Sequence, residues 1–208
     1  MSPRRSLIAP ACLTALLASL AWPATASAQG KFVLTPFVGN YYALTKMAND
    51  AFQDGSNFEL KQLSAVAFGG RLAIWLSPTI GVEAAATFNQ SKPQLLSGDS
   101  VSFTFKGNIL LASGRLLYRP ARTNLNLIIG GGIAKRGGEG WQGGDTKLTS
   151  PAVVAGMGVR AAVTPNFALT VNVEGNFYSF DFDGSGPNGK KMQADLVVSI
   201  GVPITLGR

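Results

Sequence analysis

Apolar and polar residues alternate at every second position through most of the chain beyond residue 30. This period of two is typical of β-strands, in which successive side chains point to opposite faces. Eight stretches show it, at 31–43, 64–76, 80–90, 104–118, 124–135, 151–163, 167–180 and 193–206. The pattern predicts an all-β chain.

The connections between these stretches alternate in length. Three are short and turn-rich, at 77–79, 119–123 and 164–166, and four are long and polar, at 44–63, 91–103, 136–150 and 181–192. Long loops at one end and short turns at the other are typical of membrane β-barrels. We therefore predict an eight-stranded antiparallel up-and-down transmembrane β-barrel.

The two faces of each strand differ in kind. In the last strand the even positions from Leu196 to Leu206 are all large and apolar. The charges inside the strands fall on the other face, beside many glycines and alanines, as expected of a crowded lumen: Arg71, Glu83, Arg115, Arg160 and Glu174. This predicts a polar lumen and a lipid-facing exterior. A soluble barrel would reverse the faces.

Composition agrees with a membrane barrel. Only 14% of the 208 residues are charged, and the mean hydropathy is +0.21. After the N-terminal segment no apolar run approaches the ~18 residues of a transmembrane helix, whereas a transmembrane strand needs only ~9–11.

The N-terminal segment has the features of a secretory signal peptide. Arg4 and Arg5 precede an apolar run, and Ala26-Ser27-Ala28 forms a small-residue cleavage site. We predict a signal peptide at 1–28 and a barrel domain at 29–208. The only cysteine lies within this signal segment, so the mature chain has no thiol.

Several kinds of chemistry are disfavoured. The chain has no histidine, so a Ser-His or Asp-His mechanism cannot operate, and we predict no enzyme, no catalytic residue and no cofactor. The net charge of +7 is not clustered as a nucleic-acid site would require. The segment Asp181–Gly186 resembles the start of an EF-hand loop, but Met192 replaces the required Glu, which favours a polar outer loop without metal.

The inward charges and the aromatic residues suggest specific placements. Arg71 with Glu83, and Arg160 with Glu174, lie at similar distances from a short turn, which predicts cross-strand pairs, with Arg115 nearby, that plug a narrow lumen. Aromatic residues near the strand ends predict two girdles at the membrane interfaces: Trp75, Tyr118, Tyr42, Phe88 and Phe177.

The whole mature chain resembles the eight-stranded outer-membrane barrels of the OmpA-like and opacity-type porin groups. Such barrels carry a C-terminal insertion signal read by the barrel-assembly machinery, and Ser199, Gly201, Ile204 and Leu206 match its spacing. The resemblance implies location in the outer membrane of a double-membraned bacterium. It also implies contact with outer-membrane lipid and lipopolysaccharide, and passage through periplasmic chaperones.

Three functions stay open from the sequence. The first is a structural or surface-interaction role carried by the long loops, with Trp141 in the loop 135–147 as the first candidate for contact. The second is a small passive, porin-like channel. The third is a soluble periplasmic, lipocalin-like barrel that binds an apolar ligand.

Overall fold

The computed structural model describes residues 31–49, 58–97, 100–139, 148–164, 167–181 and 190–206. These residues form thirteen strands: β1 (Lys31–Ala43), β2 (Ala48–Asn49), β3 (Phe58–Gln62), β4 (Ala65–Trp75), β5 (Ile80–Asn89), β6 (Pro93–Ser97), β7 (Ser100–Thr104), β8 (Asn108–Tyr118), β9 (Leu125–Gly137), β10 (Thr149–Thr164), β11 (Phe167–Asp181), β12 (Lys190–Gly201) and β13 (Ile204–Leu206). No helix within these ranges is long and apolar enough to cross a membrane.

Eight strand positions close into a barrel. The hydrogen-bonded order is β1, β4, β5, β8, β9, β10, β11 and β12, and every neighbouring pair is antiparallel. β12 and then β13 pair with β1, which completes the cylinder. The ladder is interrupted at Pro203, which has no N–H to donate. The predicted eight-stranded up-and-down barrel is confirmed.

The outer surface of the cylinder is apolar. Val38, Val66, Ile129 and Val153 on different strands are each at least half exposed. In the final strand Ile200, Ile204 and Leu206 face outward, while Ser199 and Gly201 are buried. The predicted orientation of the faces is therefore confirmed, and the soluble lipocalin-like alternative is wrong because the apolar face points away from the lumen.

Glycine at the lumen face of β9 lets neighbouring backbones approach closely. A Cβ atom at Gly132 would lie 1.9 Å from the carbonyl oxygen of Ala112, and one at Gly130 would lie 2.2 Å from that of Gly114. No side chain fits at such distances without a shift of the backbone. The narrow barrel therefore requires glycine at these two positions.

The segments predicted as the first two long loops contain a second sheet, in the order β2-β3-β6-β7, which we call the outer sheet. β3 and β6 continue the β4–β5 hairpin beyond the barrel, with Gln62 opposite Pro93. At the junction the Gln62 amide donates to the Ser91 hydroxyl over 2.9 Å, and that hydroxyl donates to the Leu63 carbonyl. The single strand predicted over 104–118 is therefore divided between β7 and β8. The sequence pattern did not reveal β2, β3, β6 and β7, because each has five residues or fewer.

Candidate functional site

Four charged residues meet inside the barrel, and we call them the ion cluster: Arg71 on β4, Glu83 on β5, Arg115 on β8 and Glu174 on β11. Oε1 of Glu174 lies 3.0 Å from Nη2 of Arg71 and 2.9 Å from Nη1 of Arg115. Arg115 Nη1 also lies 3.4 Å from Oε1 of Glu83. Because β11 stands three strands away from both β4 and β8, Glu174 joins opposite walls across the lumen.

Neutral groups hold the two arginines in place. Arg71 donates from Nη2 to the Ser199 hydroxyl over 2.7 Å, and its guanidinium lies 3.9 Å from the centre of the Phe37 ring. Arg115 donates from Nε to the Ser113 hydroxyl over 2.8 Å. With the Asn172 amide oriented to place its oxygen towards Arg71, Nη1 donates to it over 3.0 Å. These contacts add hydrogen bonds to the buried ion pairs, which such pairs need to offset desolvation.

The contacts within this set differ from the predicted cross-strand pairs. Arg71 lies opposite Ala85 and Glu83 opposite Ala73, so the two are diagonal neighbours. Glu83 lies instead directly opposite Arg115. Arg160 lies opposite Thr170, four residues from the position facing Glu174, and makes no ion pair with a described carboxylate. For Arg71 and Glu83, the predicted register across the turn at 77–79 was in error by two residues.

A second polar group fills the lumen towards the outer sheet, and we call it the outer lumen cluster: Tyr41, Arg136, Tyr178, Phe180 and Asp195. Arg136 donates from Nη2 to the Tyr178 hydroxyl over 2.7 Å, and that hydroxyl donates to the Asp195 carboxylate. The Arg136 guanidinium also lies 4.0 Å from the centre of the Phe180 ring. All five side chains are at most 3% exposed.

Sequence reasoning missed this cluster for a specific reason. The fifth strand was predicted to end at residue 135, which placed Arg136 in a loop, whereas β9 continues to Gly137. Asp195 could have been predicted to face the lumen, because it lies at an odd position of the last strand, as Ser199 does.

At the end with the short turns, a small cavity opens inside the barrel, and we call it the vestibule. Its volume is about 50 Å³, and its lining includes Trp75, Arg119, Asn126 and Arg160. It reaches inward as far as Arg71 and Glu83 of the ion cluster. In outer-membrane barrels the short turns face the periplasm.

The predicted aromatic girdles divide into two groups. Tyr118, Tyr42 and Phe177 are exposed on the outer surface, and the Phe88 ring there contacts the Phe68 ring at a tilt of 57°, with ring centres 5.4 Å apart. Trp75 does not belong to a girdle, because it faces the lumen, packs against the small cluster around Val33 and carries Arg119 over its ring at 4.0 Å. Trp141 and most of the EF-hand-like segment lie outside the described residues.

Comparisons with known proteins agree with this architecture. Residues 12–201 match the family model described as the outer membrane protein beta-barrel domain. The outer membrane protein OprG from Pseudomonas aeruginosa is 14% identical, with 85% of this chain and 97% of that chain covered and a TM-score of 0.52. The outer membrane protein AlkL, solved in lipid bilayers, is also 14% identical, with 90% and 97% covered and a TM-score of 0.52. A comparison with curated protein sequences gives no match.

The family match spans most of the chain, and the two solved structures share its fold. The protein belongs to the outer membrane protein β-barrel domain family and is an outer-membrane protein whose barrel lies in lipid.

Proposed function

We propose that this protein is a sealed outer-membrane barrel that anchors the outer sheet for contacts at the cell surface. The observation that carries the proposal is the salt bridge of Glu174 to arginines on two other walls of the lumen. An eight-stranded barrel is only wide enough for side chains to fill it. Charges paired across that space leave no continuous path for solutes.

The outer lumen cluster supports the same conclusion. Tyr41, Tyr178 and Phe180 pack in one apolar group with Met47 and Leu60 from the segment outside the barrel. This group lies above the ion cluster, so a solute would have to displace two filled layers. A passive channel is therefore the weaker alternative.

The outer sheet offers a surface for interaction. Within the described residues β7 pairs only with β6, so one edge of the sheet is open. Val101, Phe103 and Phe105 at or beside this edge are 56%, 63% and 40% exposed. An open edge with exposed apolar side chains is a template for a further strand or an apolar partner.

The remaining parts of the proposal follow from the sequence and the family. The protein acts without catalysis, enters the periplasm through a signal peptide cleaved after Ala28, and is inserted through the signal Ser199, Gly201, Ile204 and Leu206. Its partners are lipopolysaccharide, periplasmic chaperones and the barrel-assembly machinery. Trp141, in the sequence segment 135–147, is a further candidate for contact with a partner.

Planar-bilayer recording tests the sealed lumen. The purified protein should give no stepwise conductance, whereas a known porin inserted under the same conditions should conduct. Regular conductance steps that change size in the R115Q variant would establish the channel alternative and overturn the proposal.

Attachment assays test the surface role. Cells that display the protein should attach to a surface more than cells without it, and the F103S/F105S variant should lose most of that gain. A control variant, T104S, keeps the edge and its apolar residues. Equal attachment by all three displaying strains would contradict a role for the outer sheet.

A further inference from the structure

The vestibule contains two arginines that form no ion pair with a described carboxylate. Arg119 donates from Nε to the amide oxygen of Asn126 over 2.9 Å and stacks on Trp75. Arg160 makes no side-chain hydrogen bond or ion pair with a described residue, although it lines the same cavity. Neither guanidinium is paired with a described carboxylate.

The sequence explains why acidic partners are missing. The short turns and the flanking strand ends at 76–80, 119–126 and 160–170 contain no Asp or Glu, nor does the stretch 196–208. The same end of the barrel carries Lys31, Arg119, Arg122 and Arg160. This end of the barrel therefore carries more basic than acidic residues.

The two arginines are close enough to influence each other. Partial burial, together with the positive charge of Arg160, lowers the pKa of Arg119. Two like charges that share a small cavity repel, and this repulsion is relieved when an anion lies between them. Glu83 is the acidic group that lines the inner wall, but its carboxylate is already held by Arg115.

The size and chemistry of the cavity restrict the ligand. A volume of about 50 Å³ holds several water molecules at ~10–15 Å³ each, which is enough space for one compact anionic group. Arginine forks bind phosphate through parallel hydrogen bonds. Free phosphate carries a charge of about −1.5 to −2 near neutral pH, and a phosphodiester headgroup carries a single negative charge, so either anion offsets the repulsion between the two guanidinium groups. Asn126 has amide N–H groups that can also donate.

We propose that Arg119 and Arg160, with Asn126 and Trp75, form a phosphate-binding site in the periplasmic vestibule. The phosphate group comes either from free phosphate or from an anionic lipid headgroup of the inner leaflet. The site lies apart from the outer sheet, so this proposal does not depend on the proposed surface role.

Trp75 provides a direct spectroscopic readout. In a W22F/W141F background it is the only tryptophan of the chain. The protein in neutral phosphatidylcholine nanodiscs is titrated with inorganic phosphate while Trp75 fluorescence is followed, and equilibrium dialysis with radiolabelled phosphate counts the bound anion. We expect saturable binding of one phosphate with a parallel change in fluorescence.

Two matched variants distinguish phosphate binding at the vestibule from attraction to general surface charge. R160Q removes a cavity arginine that has no described ion pair, and we expect phosphate binding to weaken about tenfold or more. R122N removes an exposed arginine from the same turn, and asparagine tolerates its positive φ of 64°. R122N should leave phosphate affinity within about twofold of the parent, because Arg122 does not line the vestibule.

A second set of nanodiscs distinguishes the two sources. If phosphatidylglycerol alone shifts Trp75 fluorescence and then blocks phosphate binding, the ligand is the lipid headgroup. If phosphate still binds in those discs, the ligand is the free anion. Absence of both phosphate binding and a phosphatidylglycerol effect, or equal weakening by R160Q and R122N, would overturn the proposal.

Discussion

Arginines at two heights of the same lumen have different surroundings. In the ion cluster Arg71 and Arg115 are at most 6% exposed, and both contact Glu174 within 3.0 Å. In the vestibule Arg119 and Arg160 are only partly buried, and neither has a described carboxylate partner. Full burial makes an unpaired charge very costly, whereas access to water does not. The ion cluster therefore holds the barrel together, and the vestibule keeps charge available for a ligand.

The largest effect is expected where one carboxylate serves two buried arginines. E174Q keeps the shape of the side chain but removes its charge, which leaves Arg71 and Arg115 without their shared partner. We expect the free energy of unfolding to fall by about 3–5 kcal/mol. Urea unfolding of the protein in phospholipid vesicles measures this, and an unchanged midpoint would show that the lumen tolerates unpaired arginines.

A smaller loss is expected in the outer lumen cluster. Y178F removes the hydroxyl that accepts from Arg136 and donates to Asp195. The loss leaves polar groups buried without that partner, which costs about 1–3 kcal/mol. The same urea assay applies, with Y118F as the control, because Tyr118 is 52% exposed on the outer surface. Equal midpoints for the two variants would mean that this cluster adds no stability.

A smaller effect still is expected at the edge of the vestibule. R119Q removes the stack on Trp75 and the hydrogen bond to Asn126, but it leaves no buried carboxylate without an ion-pair partner. The stack contributes about 0.5–1 kcal/mol, so the free energy of unfolding should fall by a similar amount. Trp75 fluorescence should also change, since its ring loses the guanidinium. A loss as large as that of E174Q would remove the distinction between the two regions.

Most of the barrel follows from local alternation, and the site follows only in part. The period of two identified all eight barrel strands, because one face meets lipid along the full length of each strand. It could not give the register of the turn at 76–79, so Glu83 was paired with Arg71 instead of Arg115.

Contacts between distant segments were the least predictable. The five-residue strands β3 and β6 are too short for a clear periodic signal, and their pairing joins residues 31 to 39 positions apart. Residue type alone assigned Trp75 to a membrane interface, but its odd position in β4 places it on the lumen face with Arg71. Parity along the strand was the better guide than residue type.

The most direct test applies one substitution to both regions. R71Q and R160Q each replace an arginine by glutamine on the lumen face of the same barrel, and their urea unfolding is compared in the same vesicles. We predict that R71Q loses about 3 kcal/mol or more, because Glu174 stays buried beside it, and that R160Q stays within about 0.5 kcal/mol of the parent. Equal losses in the two variants would contradict the division of the lumen into a structural ion cluster and a free vestibule.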